Sequence, residues 1–461
     1  MRRSRAAIFL AAALVSGCAL GPDYERPDLD VPADYREPAP AGASVANLPW
    51  WDLYEDEQLK LLISIALEEN KDLGIALARI NESRAALRIE RANQFPFLDL
   101  NGFAGRGDRS EIIFPGASPT DNYRLTADLF FEVDLWGRLR RATEAARAEL
   151  LATEDSFRNV TITLVSQVAS NYLLLLDLDD RLAISRRTLL TRLDSLEIIE
   201  ARFDKGTVPE LDVNQAEIEV AVAEAAIASF ERQVVQAENA LRILLGRNPG
   251  PIARGQALHD QSASPEIPPG LPSELVQRRP DVRSVEARLA AQTARIGVAE
   301  ALRYPSISLT GFLGVESDDL SDLNDSDAKT WNIGANLFAP IFNSGQLKAN
   351  VEVEKARTEQ LQLEYEATLQ QAFREVEDAL VAIRTLKAES EARSRQVAAS
   401  RNAARHSRSR YDGGVVDFLE VLDSERSLFS SELEDSRTRQ QYLNAIVQLY
   451  KALGGGWYPA D

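Results

Sequence analysis

Alternation between apolar and polar residues is the first pattern along the chain. In NYRLTADLFFEVDL (122–135), Tyr123, Leu125, Ala127, Leu129, Phe131, Val133 and Leu135 share one face. Asn122, Arg124, Thr126, Asp128, Phe130, Glu132 and Asp134 form the other. A period of two with a mostly charged opposite face predicts a strand between lipid and a water-filled lumen. The signal is weaker at about 97–106, where Phe97 leads, Leu98 and Leu100 share a face, and Gly102 interrupts. It returns at about 305–315 (Ile307, Leu309, Leu313, Val315) and 330–341 (Trp331, Ile333, Ala335, Leu337, Ala339). The turn-rich stretches RSEIIFPGASPTD and ESDDLSDLNDSDAK separate the members of each pair, predicting two hairpins. Four strands are too few to close a barrel, and open sheet edges are excluded from hydrocarbon. Membrane-spanning strands in this chain would therefore share one barrel among several copies, and the strand count leaves the copy number open.

Between the strands the period changes. From about 137 to 203 there is no interior proline or glycine, and Phe157, Val160, Leu164, Val168, Tyr172, Leu175 and Leu176 form a continuous stripe. This predicts a helix of about 66 residues, on the order of 100 Å long at 1.5 Å per residue. The stretch from about 345 to 411 predicts a second one. Shorter helices are expected over about 209–245 and 416–452, with others over about 56–94 and 273–303. The alanine-dense AEIEVAVAEAAIA (216–228) suits close helix packing, and a generic coiled coil is the plain alternative. The stretches 20–49 and 247–273, rich in Pro, break every periodicity and read as an extended belt or as linkers.

The chain also contains itself twice. RFDKGTVPELDVNQAE (202–217) and RYDGGVVDFLEVLDSE (410–425) are identical at seven of sixteen positions. FPFLDLNGFAG (95–105) lines up with YPSISLTGFLG (304–314), and DLGIALAR (72–79) with DVRSVEAR (281–288). A period of about 200 residues is too long for a solenoid unit and predicts a duplicated module, a hairpin of strands plus a hairpin of long helices.

Composition narrows the chemistry. The 461 residues are 45% hydrophobic and carry a net charge of −19, which argues against a nucleic-acid partner. His259 and His406 lie far apart and there is one cysteine, so no metal-ligand spacing is present. No GxGxxG, Walker-type or GxSxG motif occurs, and neither an enzyme nor a cofactor is expected. The N-terminus carries three arginines, the apolar AAIFLAAALV, and VSGC, which together read as a signal peptide over 1–17. Cys18, in a lipobox, is the expected lipidation site. Ala19 follows it rather than the aspartate that retains lipoproteins at the inner membrane, so the outer membrane is predicted.

The lipobox, GPDYERP (21–27), LPWWDLYEDEQLKLLISIALEENKDLGIALARI (48–80), the doubled plan and LYKALGGGW (449–457) together resemble the TolC-type outer-membrane factors. More closely, they resemble the lipoprotein branch that includes NodT and OprM, over essentially the whole mature chain. The resemblance implies a mostly α fold with a membrane β-barrel: a homotrimer with a twelve-stranded barrel, an α-helical tunnel and a small equatorial domain. The parts are then a lipidated extended segment (18–55), repeat 1 (56–246), an equatorial linker (247–272), repeat 2 (273–452) and a tail (453–461). It implies a passive exit duct in the outer membrane for substrates delivered by an inner-membrane transporter, RND in type, through a periplasmic adaptor. A protein-secretion duct, and a structural stalk without transport, are the alternatives.

The resemblance also assigns residues. The turns at Gly206, Thr207 and Val208, and at Gly414 and Val415, match adaptor-contacting tips. Asp212, Tyr411, Glu420 and Asp423 match a periplasmic gate, in which acids repeated around an axis raise one another's pKa and favour cations. Tyr411 is expected to pair near Asp212. The arginine that locks the first turn in some members is replaced here by Val416, which leaves Arg202 and Arg410 as alternative locks. The second turn carries the denser acid, so its hairpin is expected to dominate closure.

Overall fold

The computed structural model describes residues 19–29, 31–37, 55–108, 110, 112–113, 115–116, 118–261 and 272–455. The expected signal peptide, Cys18 and the end of the tail lie outside the described residues. Two helices, α1 (Glu57–Glu69) and α2 (Lys71–Ala92), precede β1 (Phe97–Gly107) and β2 (Thr120–Val133). The long α3 (Arg138–Asp204) and α4 (Glu210–Leu244) follow. The second half runs α5 (Pro272–Arg278), α6 (Pro280–Ala301), β3 (Ser306–Ser317), β4 (Lys329–Phe338), α7 (Gln346–Asp412) and α8 (Phe418–Ala452). Both α3 and α7 have 67 residues, and both α4 and α8 have 35.

Three pairs of left-handed glycines punctuate the two halves at the same spacing: Gly137 and Gly345, Gly206 and Gly414, Gly246 and Gly454. Helix limits differ from the periodicity in two places, each for a local reason. The helix expected over 56–94 breaks at Asn70, whose side chain accepts from Leu73 N–H at 3.0 Å and so caps α2. The helix expected over 273–303 breaks before Pro280, which disfavours helical backbone at Arg279 and starts α6. Strand β2 ends before Asp134, whose carboxylate instead caps α3 by accepting from Leu139 and Arg140 N–H at 3.1 and 3.0 Å. Strand β4 ends two residues before Pro340.

The chain forms two compact units. One comprises Arg79–Glu154, Ser284–Glu366 and the described residues up to Asp28. Its four strands make one antiparallel sheet in the order β1-β2-β3-β4, so the two hairpins pair through β2 and β3. The register places Leu98, Leu100, Leu125, Leu129, Leu309, Leu313, Trp331, Ile333 and Leu337 on one face. That face is not covered: Leu100 is 73% and Ile333 82% exposed. The opposite face carries Asp99, Asn101, Thr126, Asp128, Glu132, Glu316 and Asn332. A soluble sandwich buries the apolar face of such a sheet, whereas a membrane sheet exposes it. In the same unit Leu20 N–H donates to Trp136 C=O at 3.0 Å, and Arg141 donates to Leu20 C=O, Gly21 C=O and Asp23. The segment that follows Cys18 is thereby held just beyond the end of β2.

The other unit comprises the described residues of Leu29–Ala78 and Asp155–Arg283 and those from Ala367 on. Its main core joins α1 (Leu59, Ile63), α3 (Leu164, Val168, Tyr172, Leu175), α4 (Phe230, Leu241) and α8 (Leu443, Val447). Each fully buried Leu or Ile contributes roughly 1.5–3 kcal/mol. Buried Asp56 caps α1 and accepts at Oδ2 from Tyr172 Oη (3.0 Å), Gln256 N–H (3.0 Å) and Gln261 Nε2 (2.7 Å). The described part of the glycine- and proline-rich connection is thus fastened to the bundle. An apolar stretch within α3 has the length and composition to cross a membrane, but 56% of it is buried inside the protein, as expected of a bundle helix.

Candidate functional site

The helical-hairpin tips are built by the same turn twice. After α3, Gly206 N–H donates to Phe203 C=O (2.7 Å) and Thr207 N–H to Arg202 C=O (3.0 Å). After α7, Gly414 N–H donates to Tyr411 C=O (3.0 Å) and Val415 N–H to Arg410 C=O (2.9 Å). Both are Schellman caps, which need a left-handed residue at the position Gly206 and Gly414 hold, with φ of 69° and 70°. The returning helices start differently. Asp417 caps α8 by accepting from Glu420 N–H, whereas Pro209 before α4 offers no side-chain cap. Thr207 and Val415 are exposed, and Val208 is half-buried.

Behind the turns, Ile199, Ala216, Tyr411, Phe418, Val421 and Leu422 form a small apolar core spanning all four helices. Val416 packs against it, so the residue at the expected arginine position serves the core. Tyr411 is 7% exposed, with its ring centroid 5.5 Å from that of Phe418. The Arg202 guanidinium lies 4.5 Å from the Tyr411 centroid and its Nη2 is 3.8 Å from Asp412 Oδ1, tying α3 to α7. Arg410 instead pairs with Glu420 at 2.8 Å, inside the second hairpin. Of the two arginines, only Arg202 bridges the hairpins.

The expected acids separate in character. Half-buried Asp212 has its carboxyl raised above the ordinary value by burial, with neighbouring Asp417 adding to the rise. Glu420 is neutralised by Arg410. Asp423 is exposed and makes no ion pair among the described residues. The expected pairing of Tyr411 with Asp212 is not observed: the Tyr411 hydroxyl is buried without a hydrogen-bond partner among the described residues.

A second polar layer lies deeper, and the sequence reading missed it. Buried Arg192 donates to Glu219 C=O at 2.6 Å and pairs with its carboxylate at 2.7 Å. Arg426 closes on the same Glu219 at 2.5 Å, and Arg408 reaches Ser195 Oγ (2.7 Å) and Glu425 (3.6 Å). Burial raises the Glu425 carboxyl, against Arg408 and Arg192. The legible signal was a charge on the apolar stripe: Arg192, Leu196 and Ile199 follow one another at spacings of four and three.

A sheet with one exposed apolar face, on a chain of paired long helices, defines a membrane channel subunit. The chain belongs to the outer membrane efflux protein family, whose model matches residues 62–247 and 271–455. It is 37% identical over 457 residues to the solvent efflux pump outer membrane protein SrpC of Pseudomonas putida, covering 97% of each chain. It is 36% identical over 456 residues to the cation efflux system protein CusC of Escherichia coli, covering 97% of this chain and 98% of that one. The crystal structure of the Campylobacter jejuni CmeC outer membrane channel matches with a TM-score of 0.90 at 26% identity, over 95% of each chain. The chain is an outer-membrane efflux channel component, and these relatives favour efflux over the secretion-duct and stalk alternatives.

Proposed function

We propose that three copies close one barrel from their four-stranded sheets and form a passive exit duct of a tripartite efflux system. A periplasmic adaptor would meet the hairpin tips and join the duct to an inner-membrane transporter of RND type. The observation that carries this reading is the continuous exposed apolar face of a sheet whose edge strands, β1 and β4, each pair on one side only. Such edges leave backbone groups unpaired in lipid unless another copy supplies the next strand. Relatives named for solvent and for cation efflux match this chain almost equally, which supports cargo choice by the transporter and passage without chemistry in the duct. Purified protein in planar bilayers should conduct and should sediment as a trimer in detergent; a non-conducting monomer overturns the proposal.

Within this reading the tips form the periplasmic gate, with Asp212, Tyr411, Glu420 and Asp423 behind the turns. Asp423, exposed and unpaired, is the acid most available to a permeating ion. Asp423→Ala is expected to raise conductance and lower the preference for cations; unchanged values for both would remove it from the gate. Lipidation at Cys18 fits the way residues 20–23 are held beside the end of β2, where an acyl anchor would enter the bilayer. Labelled palmitate should be incorporated into the wild-type protein and not into Cys18→Ser. The variant should still reach the membrane through its barrel, a second and larger anchor.

A further inference from the structure

A half-open cleft of about 160 Å³ lies between α3, α7 and α8. Arg187, Arg192, Arg401, Glu425, Phe429 and Glu432 line it, together with Thr188 and Thr191. Three observations make it more than a packing gap. First, Arg192 is 3% exposed and places its two terminal nitrogens on Glu219, but its Nε–H has no hydrogen-bond partner among the described residues. Buried donors are rarely left so, because an unmade bond costs the full desolvation of the group. Second, the charges are unbalanced. Among the described residues Arg187, Arg192, Arg401, Arg408 and Arg426 form their ion pairs with Glu219, Glu425 and Glu432, five cations on three carboxylates, in a chain whose net charge is −19; Asp180 acts on Arg187 from beyond ion-pair distance. Burial raises the Glu425 carboxyl, which weakens its hold on a negative charge. Third, Arg187 and Arg401 clamp Glu432 from two helices through one nitrogen each, at 2.9 and 2.8 Å. Both side chains line the cleft and are mostly exposed, at 61% and 64%.

We infer that this cleft is a binding site for a small oxyanion, a carboxylate or phosphate, held by Arg192 in the cleft and by Arg187 and Arg401 at its rim. Guanidinium forks match the planar oxygens of such groups. The Phe429 ring, 4.9 Å from the Arg192 guanidinium, shields one side from water and strengthens the attraction. A bound oxyanion would link α3, α7 and α8 directly, adding a removable cross-brace behind the tips.

Calorimetric titration of the full-length protein in detergent, at constant ionic strength, tests this with inorganic phosphate and acetate as separate probes. One saturable site per chain is expected. Arg187→Gln and Arg401→Gln, at mostly exposed positions that the fold tolerates, should each weaken binding on the order of tenfold. Arg405→Gln, an exposed residue of α7 outside the cleft, should leave it unchanged. Saturation by phosphate alone assigns the site to phosphoryl groups, and saturation by both probes extends it to carboxylates. Absence of binding by either, or an equal loss in Arg405→Gln, overturns the inference and leaves the cleft to water.

Discussion

Glu219→Ala is expected to destabilise the helical unit by about 3–5 kcal/mol, the range for breaking a buried ion pair from one side. Glu219 is buried and accepts from both Arg192 and Arg426. Its removal leaves the Arg192 guanidinium buried beside Phe429, with Glu425 acting on it only from beyond ion-pair distance. Burial already pulls the Arg192 guanidinium below its ordinary pKa, against the pull of Glu219. Arg192→Met should cost less, because Glu219 keeps Arg426, which is more exposed and hydrated. The double variant Glu219→Leu with Arg192→Met should recover much of the loss, since an apolar pair of similar volume carries no desolvation cost. Denaturant unfolding in detergent measures all three. A single-variant loss below about 1 kcal/mol would mean that the layer behaves as a hydrated surface pair.

The parts of this molecule that were legible in the sequence are those set by local period and backbone chemistry. Alternation placed the strands because lipid and lumen demand opposite side chains at every second residue. The uninterrupted stripe gave α3 and α7 their length. The tip glycines were readable because a Schellman cap needs a left-handed residue, and the same need recurs at Gly206 and Gly414. Breaks at Asn70 and Pro280 were individually readable but were overridden by the longer periodic pattern around them. The contacts of the tip were not legible, since they depend on how one long helix is rotated against another. Nothing near Arg202 marks it for Tyr411, 209 residues on, while Arg410, at the matching place in the other half, turns to Glu420. The Arg192 layer lay between the two cases. A charge on the stripe was visible, and its partners on α4 and α8 were not.

Tyr411→Ala is expected to give the largest change in channel behaviour. The ring fills the small core behind the turns, lies tilted against Phe418 and carries the Arg202 guanidinium on its face. Truncating a buried aromatic costs about 3–5 kcal/mol, and here the cost falls on contacts that hold the tips together. Planar-bilayer conductance should rise for Tyr411→Ala. Arg202→Ala should move it the same way by less: a partly buried cation–π contact is worth about 1–2 kcal/mol, enough to change the balance of two arrangements roughly 5- to 30-fold. Arg410→Ala removes only a pairing within the second hairpin and should leave conductance near that of the wild type. Tyr411→Phe is the discriminating variant. Its hydroxyl has no partner among the described residues, so removing it should leave closure unchanged and relieve an unpaired buried group. Opening by Tyr411→Phe would mean that the hydroxyl is satisfied by a neighbouring copy, and the lock would then run between chains as well as between hairpins.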